Sequence, residues 1–261
     1  MVASAAALGV LIGAALGLLG GGGSILAVPA LVYGVGESVS EAVTTSLFVV
    51  GVSAGVGTLP RIRRGQVRWP VAAVFGAAGA GTAFAGAAVN HLMDPRVLLL
   101  AFAALMLAVS VRMLIGQVEP RGACAAPDGR VNWRSCLPKA VLAGAFVGFL
   151  TGLFGVGGGF VIVPALALLL GLEMASAIGT SLVIIVLNSA AGFAAHLRST
   201  SVDWTVAVAF TAAAVVAALV AGRFGSRVDS DRLRRWFAWL VVAVAVFVAV
   251  AAVVSPSSLG K

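Results

Sequence analysis

Long apolar stretches separated by short polar segments dominate the chain. Residues 71–89 and 236–254, for example, contain no Asp, Glu, Lys or Arg. A helix that crosses a bilayer needs about twenty such residues, because the hydrocarbon core is about 30 Å thick. The pattern therefore predicts an all-α polytopic membrane protein.

Two apolar stretches, residues 5–35 and 140–170, are too long for one span and are interrupted by glycines at 20–23 and 155–159. An unbroken helix of this length would extend about 46 Å, well beyond the hydrocarbon core. Each stretch is therefore predicted to form two short helices, either re-entrant or paired, with a proline inside the second. Three ordinary spans follow each broken stretch, at residues 42–60, 70–90 and 96–115 and at residues 176–197, 203–222 and 234–254.

The chain is an internal duplication. Shifted by 135 positions, residues 13–69 align without a gap with residues 148–204, and about a third of the pairs are identical. Self-similarity of this kind indicates a repeat architecture. We predict a first membrane repeat at residues 1–116, a linker at 117–137 and a second membrane repeat at 138–261.

Equivalent loops of the two halves carry opposite charge bias. Residues 61–69 contain four arginines, whereas the equivalent residues 196–204 contain one; residues 90–96 contain one, whereas residues 223–235 contain five. Cytoplasmic loops collect Lys and Arg, so the halves are predicted to face opposite ways across the membrane. This inverted-topology repeat places the linker in the cytoplasm and makes each broken stretch enter and leave on one side. The net charge of +8 then reflects membrane orientation, and no nucleic-acid partner is predicted.

Two cysteines, Cys124 and Cys136, lie in or beside the most polar stretch of the chain. A disulfide would require an oxidising compartment. Because the linker is predicted to be cytoplasmic, we expect two free thiols.

The candidate site is the pair of glycine breaks. Glycine lets a ligand approach bare backbone N–H groups, and the N-terminus of the following short helix adds partial positive charge. Hydroxyl groups near the start of two later spans can donate to an oxyanion. The predicted substrate-binding residues are Gly20, Gly21, Gly22, Gly23, Ser24, Thr45, Ser46, Gly155, Gly157, Gly158, Gly159, Thr180, Ser181 and Asn188.

Each of these residues has a structural interpretation as well. Small residues are common where membrane helices pack closely, so the glycines are also consistent with packing alone. The Thr and Ser hydroxyls can bond to the preceding helical turn, and Asn188 can form an interhelical hydrogen bond.

The rest of the sequence offers little other chemistry. The predicted span interiors contain essentially no charged side chains, and Glu41, Glu173, Arg112, His91 and His196 fall near span ends, where we expect them to be interfacial. No metal-ligand cluster, nucleophile triad or phosphate loop is present in the sequence, so we predict no catalytic residues, no metal, no cofactor and no enzyme activity. A site rich in backbone N–H favours a small anion over a cation. The predicted partners are that anion and the lipid bilayer, and the sequence leaves homo-oligomer formation open.

The two glycine-rich motifs, GLLGGGGSILAVPAL from Gly17 and GLFGVGGGFVIVPAL from Gly152, are each followed by a Thr-Ser-Leu motif. This pattern resembles the sulfite exporter (TauE/SafE-type) family of bacterial membrane permeases. The resemblance covers nearly the whole chain and implies a permease for sulfite, thiosulfate, sulfoacetate or related sulfonates in the bacterial cytoplasmic membrane. It also implies that the glycine breaks and the Thr-Ser pairs line the translocation path.

We therefore predict an alternating-access anion permease built from two inverted repeats. Three alternatives remain: a channel-like anion path, a permease for organic anions without sulfur, and a non-transporting membrane scaffold. The sequence does not determine the direction of transport or the coupling ion.

Overall fold

A computed structural model describes residues 2–36, 39–90, 92–93, 95–115, 133–154, 159–196, 203–225 and 229–254, and the regular structure within these ranges is helical. The first half contains α1 (Val2–Leu19), α2 (Gly22–Pro29) with a π-helical extension (Ala30–Val35), α3 (Val39–Arg63), α4 (Trp69–Asn90) and α5 (Pro95–Ile115). The second half contains α6 (Trp133–Phe154), α7 (Gly159–Pro164) with a π-helical extension (Ala165–Leu169), α8 (Met174–His196), α9 (Trp204–Gly225) and α10 (Ser230–Val254).

Six of the described helices are long and apolar enough to cross a membrane. They are α3, α4, α6, α8, α9 and α10, and shorter apolar segments occur in α1, in α5 and in α7 with its extension. The prediction of an all-α polytopic membrane protein is confirmed.

The first broken stretch forms two helices that lie side by side. A Cβ atom added to Gly23, near the start of α2, would lie 2.5 Å from the carbonyl oxygen of Ile12 and 2.6 Å from Cγ of Leu16. In a continuous helix, residues eleven positions apart would be separated by about 16 Å. The chain therefore turns back at Gly20 and Gly21, and α2 runs back along α1.

In each broken stretch, the second short helix widens just after its proline. α2 ends at Pro29 and α7 at Pro164, and a π-helical segment follows each. Proline has no N–H to donate and its ring crowds the preceding turn, whereas a wider turn relieves that crowding. The bonds that close the segments span five residues: Gly36 N–H donates to the Leu31 carbonyl at 3.0 Å and Leu170 N–H to the Ala165 carbonyl at 3.4 Å.

The two halves exchange helices. α1 packs along α9, and the equivalent helix α6 packs along α4. The remaining equivalent pairs, α3 with α8, α5 with α10 and α2 with α7, pack on each other. The halves thus form one interlocked unit in which each repeat completes the other. Their orientation relative to the bilayer stays a prediction.

Close crossings between the halves depend on glycine. A Cβ atom at Gly13 in α1 would overlap the backbone carbonyl of Ala214 in α9, and a Cβ atom at Gly148 in α6 would overlap that of Gly79 in α4. These two crossings are repeat equivalents, since 13 and 79 shifted by 135 give 148 and 214. Glycine lets such helices approach backbone to backbone, as is common in membrane proteins. Packing is therefore the role of the glycines along α1 and α6.

The start of the second half corrects one sequence-based expectation. α6 begins at Trp133, inside the segment predicted as linker. Cys136, in the first turn of α6, is fully buried and disulfide-bonded, so the expectation of free thiols was wrong. That expectation depended only on the predicted cytoplasmic location of the linker, and disulfides persist mainly in oxidising compartments. Cys124 lies outside the described residues.

Candidate functional site

The two helix breaks meet inside the protein. A Cβ atom added to Gly21 would overlap the carbonyl oxygen of Gly159. A Cβ atom added to Gly159 would lie 2.5 Å from the Ser24 hydroxyl oxygen and 3.1 Å from the Gly21 carbonyl oxygen. The fold therefore brings the first residue of α7 against the first turn of α2. Three predicted site residues from opposite halves are in contact.

Among the described residues, no side chain caps the N-terminus of α2. Gly21 occupies the N-cap position with φ −97° and ψ −15°, and the Ser24 hydroxyl instead donates to the Gly21 carbonyl oxygen at 2.8 Å. The first N–H groups of a helix have no intrahelical acceptor, and they carry about half a positive charge. Gly22 and Gly23 place two of these groups next to the contact between the breaks.

The antiparallel packing of α3 against α8 shows how far along this helix pair each of the other site residues lies, a position that we call its level. A Cβ atom at Gly57 would lie 3.9 Å from Leu182, and one at Gly192 would lie 3.2 Å from Leu47. In each pair the two residue numbers add up to 239. This register places residues near 53 opposite residues near 188, at the middle of the pair.

Ser181 lies at the first break, whereas Ser46 does not. A Cβ atom at Gly20 would lie 3.1 Å from the Ser181 hydroxyl oxygen. The α3–α8 register places Ser46 about 20 Å further along, near the other end of the helix pair. The predicted hydroxyl groups therefore belong to two separate levels and do not surround one point.

The two serines form the same local bond. The Ser46 hydroxyl donates to the Val43 carbonyl oxygen at 2.8 Å, and the Ser181 hydroxyl donates to the Ile178 carbonyl oxygen at 2.8 Å. Bonding to the preceding helical turn thus uses the proton of each hydroxyl. What remains for a ligand is the oxygen lone pairs, unless the hydroxyl rotates.

The two threonines differ. The Thr180 hydroxyl oxygen accepts a hydrogen bond of 3.1 Å from the Arg68 backbone N–H, and this bond docks the segment before α4 onto α8. The Thr45 hydroxyl is fully buried and has no hydrogen-bond partner in the described part of the chain. Thr45 can therefore donate a hydrogen bond without first breaking one.

Asn188 lines a small cavity between α4, α6, α7 and α8, together with Thr151. The cavity volume is about 10 Å³, which accommodates about one water molecule. In the α3–α8 register Ser53 lies at the same level, and its hydroxyl is buried without a partner among the described residues. This structure leaves no space for an oxyanion at Asn188.

A larger cavity of about 490 Å³ has Leu150 of α6 and Val161 of α7 in its lining. α5, α6 and the α7 segment form it, and Arg112 is the charged residue in its otherwise apolar lining. Such a lining suits an acyl chain better than an inorganic anion. Gly155, Gly157, Gly158 and the loop residue His91 lie outside the described residues.

Arg61 is a buried residue that the sequence pattern did not reveal. The pattern predicted a loop at Arg61, but α3 continues to Arg63, and Arg61 is only 2% exposed. Its Nη2 donates to the Gly17 carbonyl oxygen in the last turn of α1 at 3.0 Å, and its Nε has no partner in the described part of the protein. The predicted span ended at residue 60, three residues before the end of α3. The repeat contained the missing signal, because the equivalent residue, His196, lies within a predicted span.

Comparisons with known proteins identify the family. The model of the sulfite exporter TauE/SafE family matches residues 5–248. The chain belongs to this family. A probable membrane transporter protein of Xylella fastidiosa (strain 9a5c) is 36% identical over 248 residues, which cover 92% of each chain. YunE of Bacillus subtilis (strain 168), also a probable membrane transporter protein, is 29% identical over 85% of this chain and 86% of its own.

Family membership determines the general class of the protein. A probable membrane transporter protein of Methanocaldococcus jannaschii is 28% identical over 73% of this chain and 72% of its own. The TauE/SafE family and these relatives are membrane transporters rather than enzymes. The predicted resemblance is therefore confirmed, and the chain is a multi-pass membrane transporter. No solved structure matches the chain.

Proposed function

We propose that this TauE/SafE protein is a permease for a small anion in the bacterial cytoplasmic membrane, with sulfur-containing oxyanions and sulfonates as the first candidates. The anion binds at the meeting point of the two helix breaks and crosses by alternating access. The candidates follow from the family description, which names sulfite.

The contact between Gly21 and Gly159 is the observation that supports this proposal best. It places an uncapped helix N-terminus, with its N–H donors, at a boundary between the two halves inside a membrane protein. Broken helices at a repeat interface are where secondary transporters bind substrate, and helix N-termini point at anionic groups there. The described residues that line the break carry no carboxylate that would repel an anion.

Movement of one half relative to the other follows from the same contact. The backbones of Gly21 and Gly159 touch, so an anion binds between them only when the halves separate slightly. Relative rocking of two repeats opens such a site to each side in turn. An anion can be driven outward by the membrane potential alone, since each elementary charge gains about 2.3 kcal/mol per 100 mV.

The test is anion counterflow in proteoliposomes with sulfite, thiosulfate, sulfoacetate and a sulfur-free carboxylate, comparing wild type with Gly21→Ala. The dihedral angles of Gly21 suit alanine, so the added methyl group acts through its overlap with the backbone of Gly159 and Phe160. We expect saturable exchange of at least one sulfur-containing anion by wild type and a loss of at least tenfold in Gly21→Ala.

Gly81→Ala is the matched control, because a Cβ atom at Gly81 in α4 would meet no atom of the described residues within 4 Å. This variant should exchange anions like wild type. Flux that does not saturate would favour the channel-like path, and exchange of the carboxylate alone would favour an organic-anion permease. Binding and exchange of none of these anions would overturn the proposal and favour the scaffold.

A further inference from the structure

We propose that Arg61 is the cation of the anion path. In this proposal the guanidinium neutralises the carbonyl end of α1 and uses its free N–H groups to bind the small oxyanion at the helix break. The inference rests on the proposed function and adds a charged residue to a site that the sequence predicts to be neutral in its side chains.

A helix break presents two ends with opposite partial charges. The N–H groups at the start of α2 attract an anion, but the carbonyl groups at the end of α1 repel it. At the break the Gly21 N–H donates to the Leu19 carbonyl at 3.1 Å, so it no longer donates to the Gly17 carbonyl as it would in a continuous helix. Arg61 Nη2 bonds to that Gly17 carbonyl at 3.0 Å. Arg61 thus offsets the partial negative charge at the end of α1 and leaves the partial positive charge at the start of α2.

The level of Arg61 in the fold matches the level of the break. The α3–α8 register places Arg61 opposite residues near 179. Gly20 contacts the same part of α8: a Cβ atom there would lie 2.7 Å from Ile178 Cγ2 and 3.1 Å from Ser181 Oγ. Arg61, Gly20 and Ser181 therefore lie at one level of the helix pair.

The guanidinium has unused hydrogen-bonding capacity. Its Nε is buried without a partner, and among the described residues no carboxylate forms an ion pair with it. A buried charge without a counter-ion is unfavourable, and a small oxyanion would supply both the charge and the acceptors. Two oxygens of a sulfite, sulfonate or carboxylate match two adjacent N–H groups of a guanidinium.

The test uses three variants in the counterflow assay with the anion that wild type exchanges. Arg61→Lys keeps the charge and can still reach a helix carbonyl, but it loses the paired donors. Arg61→Gln removes the charge. Arg63→Gln is the matched control, because Arg63 lies two residues after Arg61 on the same helix but is exposed.

We expect Arg63→Gln to behave like wild type. Arg61→Lys should raise KM about tenfold, because it replaces paired charge-assisted hydrogen bonds with a single ammonium group. Its maximal rate should change much less. Arg61→Gln should lose exchange, and in both Arg61 variants the anion should raise the apparent Tm less than it does in wild type.

A role limited to capping α1 predicts a different pattern. Arg61→Lys would then keep the wild-type KM and the wild-type Tm shift on adding anion, and this result would overturn the inference. The Arg61→Lys comparison decides the question even when Arg61→Gln fails to fold. Absence of exchange by wild type would instead overturn the proposed function on which the inference rests, so the two failures are distinguishable.

Discussion

At the scale of single residues, Gly20 and Gly36 share a left-handed backbone conformation but differ in their surroundings. Their φ angles are 80° and 86°. A Cβ atom at Gly20 would lie 2.7 Å from Cγ2 and 3.3 Å from Cα of Ile178, whereas at Gly36 it would meet nothing within 4 Å. Replacement of each glycine by alanine therefore distinguishes two costs. Backbone strain arises at both positions, whereas a clash with α8 arises at Gly20.

We predict that Gly36→Ala lowers stability by about 1–2 kcal/mol, the cost of a left-handed alanine. Gly20→Ala should cost roughly 1–3 kcal/mol more, because Ile178 must move as well. Apparent Tm values in detergent, measured at one scan rate, rank the two variants. Equal Tm values would contradict the close packing of Gly20 on α8.

Two buried hydroxyl groups on α3 are a further feature at the residue scale. The hydroxyls of Thr45 and Ser53 are buried and have no partner in the described ranges. Such groups are rare in folded proteins and usually have a water, ion or ligand nearby. Both groups lie on α3, the helix that also carries Arg61.

At the scale of helices, glycine crossings join the two halves. Gly13 admits the Ala214 backbone where α1 crosses α9, and Gly148 has the equivalent role where α6 crosses α4. The same crossings hold the ends of α1 and α6 in place, and the breaks follow directly from those ends. The glycines along α1 and α6 therefore serve close packing between the halves.

We predict that Gly13→Val and Gly148→Val each destabilise the protein by about 3 kcal/mol or more, because the side chain would have to displace the backbone of the facing helix. The two effects should be similar, since the crossings are repeat equivalents. Fluorescence-detected size-exclusion chromatography of fresh extracts measures the fraction of folded protein. Gly81→Val, in open space on α4, should remain monodisperse. A well-folded Gly13→Val variant would show that the α1–α9 crossing is not backbone to backbone.

At the scale of the whole molecule, two features favour opposite sides of the membrane for the linker. The arginine-rich loops favour the cytoplasm, whereas the disulfide at Cys136 favours an oxidising compartment. The interlocked packing of equivalent helices is compatible with either placement, because it concerns the two halves and not the bilayer.

Labelling of single cysteines in intact cells can test the inverted topology. In a background with both native cysteines replaced by serine, we predict that an impermeant maleimide labels Asp203→Cys from outside. Arg64→Cys and Lys139→Cys should react only after permeabilisation. All three positions are exposed, and Asp203 and Arg64 lie in equivalent loops of the two halves. Labelling of Asp203→Cys and Arg64→Cys from one side would exclude the inverted repeat, and external labelling of Lys139→Cys would place the linker outside.

The class of the protein, its helices and its repeat could all be predicted from the amino-acid pattern. Apolar length identifies the spans because the bilayer thickness is fixed, and the gap-free repeat predicts which segments are equivalent. The glycine runs located both breaks, because a stretch of residues 5–35 cannot remain one helix inside a bilayer of that thickness. The family resemblance followed from the same motifs.

Only the tertiary structure decided which residues meet. The exchange of α1 and α6 between the halves brings Gly21 to Gly159, and the α3–α8 register separates Ser46 from Ser181. The burial of Arg61 depends on the end of α1 arriving beside α3, a contact between residues 44 positions apart that no local pattern encodes. Periodicity and composition report how each segment relates to water and lipid, whereas a binding site depends on which segments pack together.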